Sequence, residues 1–424
     1  MWRRLLILTT KRSREPIAAL VWFLALTAWA LHSPVTMTAQ TLTTLYNFQG
    51  PPTDGMAPGT GVVRDHNGNM YGTTSAGGQS ENGTAFEVDA SGTEIMLHSF
   101  QFLVDGVNPE SSLALGPGNA LYGTTPLGGP NNAYGTVFRI RDNTVTVVYA
   151  FSGGLDGLAP VGGVVENIDG NLYGTTGGGG TGTCPGGCGT IYRIDRNRHE
   201  SVLHNFDGPN GAHPGLATLI HDPQGNLYGT TSGGGLDDSD NMCPGGCGIV
   251  FMLSRSGKFT VLHKFTYGTS DGRFVEFGVV RDRNGNLYGT TLGGGTWNYG
   301  TIYEITNTGE EKVLYNVAGA PDGSDPGPIV IANGKLYGAT TSGGQPTCWL
   351  SYGGCGVIFQ FDKSGTEKVL YTFNGVTDGA VPVGPLTFDS EGNMYGATVQ
   401  GMKDNCAFWQ GGCGTIWKLS PPSQ

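Results

Sequence analysis

The residues with the most definite chemistry in this 424-residue chain are eight cysteines, which fall into four close pairs. Closely spaced cysteines in even number are typical of disulfides in an exported protein, so we predict a local disulfide within each pair. Disulfides between neighbouring segments and a four-cysteine zinc site are the alternatives, because two pairs share the sequence Cys-Pro-Gly-Gly-Cys. The pairs are Cys184 and Cys188, Cys243 and Cys247, Cys348 and Cys355, and Cys406 and Cys413.

Aromatic residues form a second group, since their rings can stack on sugars or pack against an apolar partner. They lie in long loops of the last three of seven repeated units, and we expect the corresponding loops of the first four units to lack aromatic character. We predict a binding surface for a carbohydrate or an envelope protein, and packing of the rings over the ends of their own repeat units and over the disulfides is the alternative. The aromatic pairs are Trp297 and Tyr299, Trp349 and Tyr352, and Phe408 and Trp409.

Charged and polar side chains suggest two further sites. One is a calcium site, for which a solvated acidic loop is the interpretation that we favour. The other is an active site built from polar residues that occur once in otherwise repeated loops, for which tolerated variation is the favoured interpretation. The calcium candidates are Asp237, Asp238 and Asp240, and the active-site candidates are Arg273, Glu276 and His213.

An Asp-Gly or Asn-Gly pair also recurs seven times, and a ring of carboxylates could bind cations. We favour a structural role, in which the side chain accepts backbone N–H bonds in a turn that the Gly completes. The seven residues are Asp54, Asp105, Asp156, Asn210, Asp271, Asp322 and Asp378.

The elements that must position these residues are repeats. The phrase Leu/Met-Tyr-Gly-Thr/Ala-Thr occurs seven times, at intervals of 49 to 60 residues. Each unit contains four short runs rich in β-branched and aromatic residues, bounded by Gly, Asp, Asn or Pro, which predict strands a to d. In the third unit these are residues 163–166, 171–176, 189–194 and 201–206.

The phase of the repeats predicts a closed ring. The repeats open with a d-type strand at 43–48 and end with a c-type strand at 414–419. Pairing these two strands would cover both open edges. The sequence therefore predicts an all-β, seven-bladed β-propeller with four strands per blade. Its last blade is closed by the N-terminal strand, so that residues 41–49 and 380–420 share it.

The connections are of two kinds. The a–b and c–d turns are short and contain Gly and Asn, as two-residue hairpins require. The b–c and d–a connections are long and variable, and alternation along the strands places them on one face, which we call the variable face. Binding residues are usually found on such loops.

The first 39 residues have the layout of a secretory signal peptide, with five basic residues before an uncharged run at 17–31. We expect cleavage near Ala39, with an uncleaved membrane anchor as the alternative, and a single propeller domain at 40–424. The mature charge is then about −15, since the leader removes five basic groups and one acidic group. This balance argues against nucleic acid or an anionic membrane as partners.

The repeat resembles the GloVer tandem repeat of exported bacterial proteins. The pattern is carried by Asp-Gly, then Pro, then Gly-Asn-Leu-Tyr-Gly-Thr-Thr, and it covers about residues 42–420. The strand order is also similar to that of NHL-type propellers. The chain ends at 420–424 without an apolar tail, so it is similar to the members that lack a sorting anchor. The resemblance implies no catalytic residues.

The sequence therefore predicts a monomeric binding protein in the periplasm or outside the cell, without a cofactor or metal. A polysaccharide lyase or hydrolase on the same scaffold is the first alternative. A structural protein of the envelope or matrix is the second.

Overall fold

The computed structural model describes residues 40–235, 243–345, 348, 353–362, 365–401, 406 and 411–422. Residues 40–421 form one compact unit. Two single turns of 3₁₀ helix lie at Pro117–Asn119 and Pro130–Asn132, and nearly all other regular structure is strand. Across these ranges, no helix has the length and apolar character of a membrane span.

The strands form the seven predicted blades. Blade 1 contains β2 (Gly55–Pro58), β3 (Val63–Arg64), β4 (Met70–Gly77), β5 (Thr84–Val88) and β6 (Glu94–Ser99). Blade 2 contains β7 (Ala114–Leu115), β8 (Leu121–Thr125), β9 (Thr136–Arg141) and β10 (Thr144–Ala150). Blade 3 contains β11 (Val165–Glu166), β12 (Leu172–Thr176), β13 (Thr190–Ile194) and β14 (Glu200–Asn205). The predicted strands of the third unit are thus confirmed to within two residues.

The remaining blades repeat this order. Blade 4 contains β15 (Ile220–His221), β16 (Leu227–Thr231), β17 (Ile249–Leu253) and β18 (Phe259–Lys264). Blade 5 contains β19 (Gly272–Arg273), β20 (Val280–Arg281), β21 (Leu287–Thr291), β22 (Gly293–Gly294), β23 (Thr301–Ile305) and β24 (Glu311–Asn316). Blade 6 contains β25 (Ser324–Pro326), β26 (Val330–Ala332), β27 (Lys335–Ser342), β28 (Val357–Phe361) and β29 (Glu367–Thr372). Blade 7 contains β30 (Ala380–Phe388), β31 (Met394–Gln400), β32 (Thr415–Ser420) and β1 (Thr41–Asn47).

The N-terminal strand closes the ring, as predicted. β1 pairs antiparallel with β32, from Thr41 opposite Ser420 to Asn47 opposite Thr415. The sheet order in blade 7 is β30-β31-β32-β1, so the N-terminal strand takes the outermost place. Phe48, which follows β1, is buried in a core shared by blades 7 and 1. Both strands would otherwise expose an unpaired edge.

The core consists of seven apolar clusters, one at each junction between neighbouring blades. At the junction of blades 3 and 4, for example, Ile191 and Phe206 pack against Leu227 and Phe251. Each sheet therefore buries both faces, which explains why apolar residues stand at adjacent as well as alternate strand positions.

The repeated Tyr-Gly-Thr-Thr phrase has a structural explanation. The Tyr71 hydroxyl donates to Asp65, whose carboxylate also accepts the backbone N–H groups of Asn67 and Asn69 in the a–b turn. The glycine is required because a Cβ at Gly72 would lie 2.5 Å from the ring of Phe86 on the next strand. The last threonine of each phrase hydrogen-bonds the strand c threonine in several blades, as in Thr74–Thr84, Thr125–Thr136, Thr176–Thr190, Thr291–Thr301 and Thr398–Thr415.

One backbone joint links each blade to the blade before it. In every blade, one non-glycine residue near the start of strand a has a φ angle between 52° and 59°, a range that is uncommon for residues other than glycine. Its N–H donates to a carbonyl at the end of the preceding blade's b–c loop, over 2.8–3.3 Å. The backbone strain is therefore tied to a bond that holds the ring together. Donor and acceptor pairs are Ala57–Cys413, Asn108–Asn82, Ala159–Tyr134, His213–Cys188, Phe274–Cys247, Asp325–Tyr299 and Val381–Cys355.

Candidate functional site

The four predicted local disulfides are present, in the b–c loops of blades 3, 4, 6 and 7. All eight cysteines take part in them, so neither the cross-blade pairing nor the cysteine zinc site applies. The second cysteine of each pair provides the carbonyl that accepts the joint hydrogen bond from the next blade. Each disulfide therefore fixes the b–c loop at the point where the next blade attaches.

Tyrosines occupy the same position in two blades without a disulfide. The ring of Tyr134 in blade 2 covers Gly153, and the ring of Tyr299 in blade 5 covers Gly319, because a Cβ on these glycines would lie 2.5 and 2.9 Å from the rings. Our expectation that the b–c loops of blades 1 to 4 lack aromatic character is therefore wrong for blade 2. Packing over a neighbouring loop, the alternative role for these rings, accounts for one face of Tyr299.

The described aromatic candidates of blade 5 lie at the surface. Trp297 is 60% exposed and Tyr299 is 46% exposed. Tyr267, which the sequence did not single out, is 43% exposed on the d–a loop that leads into the same blade. The Arg273 guanidinium carbon lies 5.0 Å from the centre of the Tyr267 ring, a distance typical of a cation–π interaction. We call Tyr267, Arg273, Trp297 and Tyr299 the blade 5 aromatic surface.

Backbone pairing holds together the two loops that carry this surface. β19 pairs antiparallel with β22, which places Arg273 opposite Gly293. Gly295 N donates to Asp271 O over 2.8 Å, and Thr296 N donates to Asn316 Oδ1 over 2.8 Å. The residues next to Trp297 are therefore fixed in the folded protein.

Several other candidates lie outside the described residues. These are the aromatic residues Trp349, Tyr352, Phe408 and Trp409, and the calcium candidates Asp237, Asp238 and Asp240.

The three active-site candidates have separate partners. Arg273 stacks on Tyr267 and on Phe274. His213 Nδ1 lies 2.9 Å from the carbonyl oxygen of Gly177, to which it can donate. The Glu276 carboxylate lies over Gly215 of the preceding blade, where a Cβ would come within 2.7 Å of Oε2.

A cavity of about 390 Å³ occupies the middle of the ring. Its wall is formed by the starts of the strand a regions of six blades, including Leu216, Phe277 and Pro385, and it is mostly apolar. Glu110 lies in this wall, directly after Pro109, at the position that Glu276 occupies in blade 5. Burial raises the pKa of both carboxyl groups. Sequence reasoning missed Glu110, although a charged residue directly after this proline was a usable signal.

The recurring Asp residues of the d–a loops have the predicted turn role. Asp105 accepts the Gln101 N–H over 2.7 Å, and Asp322 accepts the Ala318 N–H over 2.8 Å. Each also faces a Tyr or His from the end of the preceding strand d, as in Tyr315 Oη to Asp322 at 2.9 Å.

At four blade junctions, a glutamate from strand d of the following blade lies near the Asp and its Tyr or His partner. Burial, followed by the charge of the neighbouring Asp, raises the pKa of each glutamate to about 7. An Oε1 atom of each is buried and makes no hydrogen bond within the described part of the chain. The four glutamates are Glu94, Glu200, Glu311 and Glu367.

The sequence profile of the Gloeobacter/Verrucomicrobia repeat matches residues 33–243 and 239–424. The chain belongs to this repeat family. The resemblance noted from the repeated phrase is thereby confirmed. No curated protein matches the chain.

Solved structures with a similar fold are distant in sequence. A putative gluconolactonase is 10% identical, with 92% of this chain and 96% of that chain covered and a TM-score of 0.43. A luciferin-regenerating enzyme is 12% identical, with 90% and 95% covered and a TM-score of 0.44. The PQQ-bound aldose sugar dehydrogenase of Streptomyces coelicolor is 12% identical, with 90% and 98% covered and a TM-score of 0.46. Likeness of this degree does not transfer an activity to this chain.

Within the Gloeobacter/Verrucomicrobia repeat, the features shared by all blades have structural roles. The joint hydrogen bond and the strand pairing recur in every blade. A function is therefore expected where one blade departs from the others, and blade 5 carries the exposed Trp297, the stacked Arg273 and the partly buried Glu276.

Proposed function

We propose that the protein is an exported binding protein that recognises a carbohydrate through the blade 5 aromatic surface. The observation that carries the proposal is the exposure of Trp297, 60% of whose surface is open to solvent on a hydrogen-bonded loop. The indole has Tyr299 on the same loop and Tyr267 on the loop paired with it, and such rings combine large apolar faces with a polar edge. Sugar rings present the complementary combination of apolar C–H faces and hydroxyl groups.

The charge pattern supports a polar, uncharged ligand. The chain has a formal net charge of −11, which disfavours polyanions such as nucleic acid. Arg273 lies over the ring of Tyr267, so its guanidinium N–H groups belong to the same surface. They could donate hydrogen bonds to sugar hydroxyl groups.

The rigidity of the two loops also favours binding. Loops fixed before the ligand arrives lose little conformational entropy on binding. The pairing of β19 with β22 provides this order at the base of both loops. Four disulfides are typical of proteins in an oxidising compartment, and with the N-terminal leader they support export to the periplasm or the cell exterior.

Binding is favoured over catalysis because Arg273, His213 and Glu276 have separate partners. An active site of a lyase or hydrolase needs an acid and a base that converge on one reacting bond. Among the described residues, the candidates chosen from the sequence do not supply such a pair.

Retention of the purified protein on a panel of insoluble polysaccharides tests the proposal. We expect Trp297→Ala to reduce retention at least ten-fold, and Tyr267→Ala to reduce it several-fold. Tyr134→Ala is the matched control, because Tyr134 has the same position in blade 2 as Tyr299 in blade 5. Equal retention of the wild type and Trp297→Ala on every polysaccharide that binds would contradict the proposal. Loss of retention in the Tyr134→Ala control alone would do the same.

The central cavity favours a second candidate function, the binding of a small apolar molecule. A mostly apolar cavity of about 390 Å³ with one carboxyl group in its wall has the usual properties of a small-molecule pocket. A bulky substitution, Leu216→Trp, should fill it and abolish binding of an apolar fluorescent probe while carbohydrate retention stays unchanged. Unchanged probe binding would rule the cavity out as the probe's site.

A further inference from the structure

Three side chains that commonly bind metals meet at the outer junction of blades 4 and 5. His263 lies near the end of β18, Asp271 lies in the following d–a loop, and Glu311 begins β24. One ligand atom from each lies within 4.8 Å of the other two. We propose that these three residues bind one zinc ion.

The donor set suits zinc. Zinc in proteins takes imidazole nitrogen and carboxylate oxygen at about 2.0–2.2 Å, so that ligand atoms in a tetrahedral site lie about 3.4 Å apart. His263 Nε2 and Asp271 Oδ2 are already 3.4 Å apart. Side-chain rotation of Glu311 is sufficient to bring the third atom to this distance. The fourth position would be left to water.

Hydrogen bonding supports the same conclusion. His263 Nε2 and Glu311 Oε1 are buried atoms that make no hydrogen bond within the described part of the chain, although His263 Nε2 lies 3.4 Å from the Asp271 carboxylate. Unpaired atoms of each kind also occur singly at other junctions, as in His204 Nε2 and Glu94 Oε1, but within the described residues the two kinds occur together at this junction. Buried polar atoms normally have a partner, and a bound ion is one explanation for an exception. Asp271 is held in place by the N–H groups of Thr266 and Gly272, at 2.9 and 2.7 Å. Such outer contacts orient a metal-binding carboxylate.

The other six junctions provide an internal comparison. Within the described residues, the junction of blades 4 and 5 is where His, Asp and Glu occur together. Four junctions have Tyr in place of His263, one has Asn in place of Asp271, and one has Val in place of Glu311. The corresponding triplets are Tyr46, Asp54 and Glu94; His98, Asp105 and Val145; Tyr149, Asp156 and Glu200; His204, Asn210 and Phe259; Tyr315, Asp322 and Glu367; and Tyr371, Asp378 and Leu42.

The same junction lacks a contact found at the others. At six junctions a proline of the following blade lies against the glycine that opens the preceding strand c, as Pro326 does against Gly300. At the junction of blades 4 and 5 this residue is Val275. A zinc ion joining β18, the d–a loop and β24 would stabilise the junction from its outer edge.

Zinc titration of the untagged, full-length exported protein tests the proposal, with isothermal titration calorimetry and metal analysis after dialysis as readouts. The wild type should bind one equivalent of Zn²⁺, and its melting temperature should rise with zinc and return to the starting value with EDTA. Co²⁺ in place of Zn²⁺ should give the visible absorption of a four- or five-coordinate site.

The variants are designed from the residues at the corresponding positions of the other blade junctions. His263→Tyr converts this junction to the Tyr-Asp-Glu type that the chain already uses at blades 5 and 6, so it should fold and lose zinc binding at least 100-fold. Tyr315→His performs the reverse change and should raise the stoichiometry to two. Zinc binding by His263→Tyr with wild-type affinity would overturn the proposal. A folded Tyr315→His protein that binds only one equivalent would show that these three side chains are not sufficient, which also overturns it.

Discussion

The stability of the propeller should decrease as the pH rises from 5 to 8, because three partly buried glutamates face an aspartate across a blade junction. Glu94 lies near Asp54, Glu200 near Asp156 and Glu367 near Asp322. Burial and then the neighbouring carboxylate raise the pKa of each glutamate from 4.5 to about 7. Glu311 belongs to the proposed zinc site and is left out of this prediction.

The sign follows from linkage. In the unfolded chain these groups ionise near pH 4.5, whereas in the folded protein they ionise near pH 7. Their stabilising contribution is therefore complete below pH 4.5 and is lost as the pH rises through 7. A shift of this size corresponds to ~3.4 kcal/mol for a fully buried group. Since these side chains are partly exposed, solvent screening reduces the figure to about 1 kcal/mol each, or about 3 kcal/mol in total.

Calorimetry and urea unfolding at pH 5, 6, 7 and 8, with EDTA present, measure the effect. For a unit of this size, 3 kcal/mol corresponds to a decrease of about 4 °C in the melting temperature. The triple variant with Glu94, Glu200 and Glu367 each changed to Gln should abolish most of this pH dependence and be the more stable protein at pH 8. Glu310→Gln, an exposed neighbour of a junction, is the control. A triple variant with the wild-type pH dependence would refute the reasoning.

Two further predictions concern the fold. Deletion of residues 41–49 should make the protein aggregate and unfold at lower temperature, because it removes the strand paired with β32; unchanged light scattering and melting temperature would contradict the shared seventh blade. Gly72→Ala should lower the unfolding free energy by about 1–3 kcal/mol in urea titrations, because its Cβ would overlap the Phe86 ring, whereas the exposed Gly154→Ala should be nearly neutral. An equal effect of the two glycine changes would contradict the close-approach explanation.

The fold could be predicted from the sequence because the evidence for it is repeated seven times. One Leu-Tyr-Gly-Thr-Thr phrase would indicate a short strand and little else. Seven phrases with an offset at the two ends specify the pairing of β1 with β32, which the structure contains. The local disulfides were predictable for a similar reason, since each pair is separated by four or seven residues along the chain.

The candidate sites could be predicted less well because they combine residues from different blades. His263 and Glu311 are 48 positions apart in the sequence, and their approach depends on how strand d of one blade crosses the next. Glu110 lies in the wall of the central cavity because the starts of the strand a regions of six blades meet there, and no single loop shows this meeting. Tyr267 was missed because its exposure and its contact with Arg273, six residues later, depend on the conformation of the d–a loop.

The departures from the repeat lie together, and this favours a function at blade 5. A seven-fold ring offers seven equivalent places for a substitution, so unrelated neutral changes would be scattered around it. Instead, Tyr267 and Arg273 lie in the d–a loop into blade 5, and Val275 and Glu276 follow within three residues of Arg273. Asp271 of this loop belongs to the proposed zinc site, and Tyr267 and Arg273 belong to the proposed binding surface. Any group that orders the loop at Asp271 would therefore also order the aromatic surface, because the two are joined through the pairing of β19 with β22.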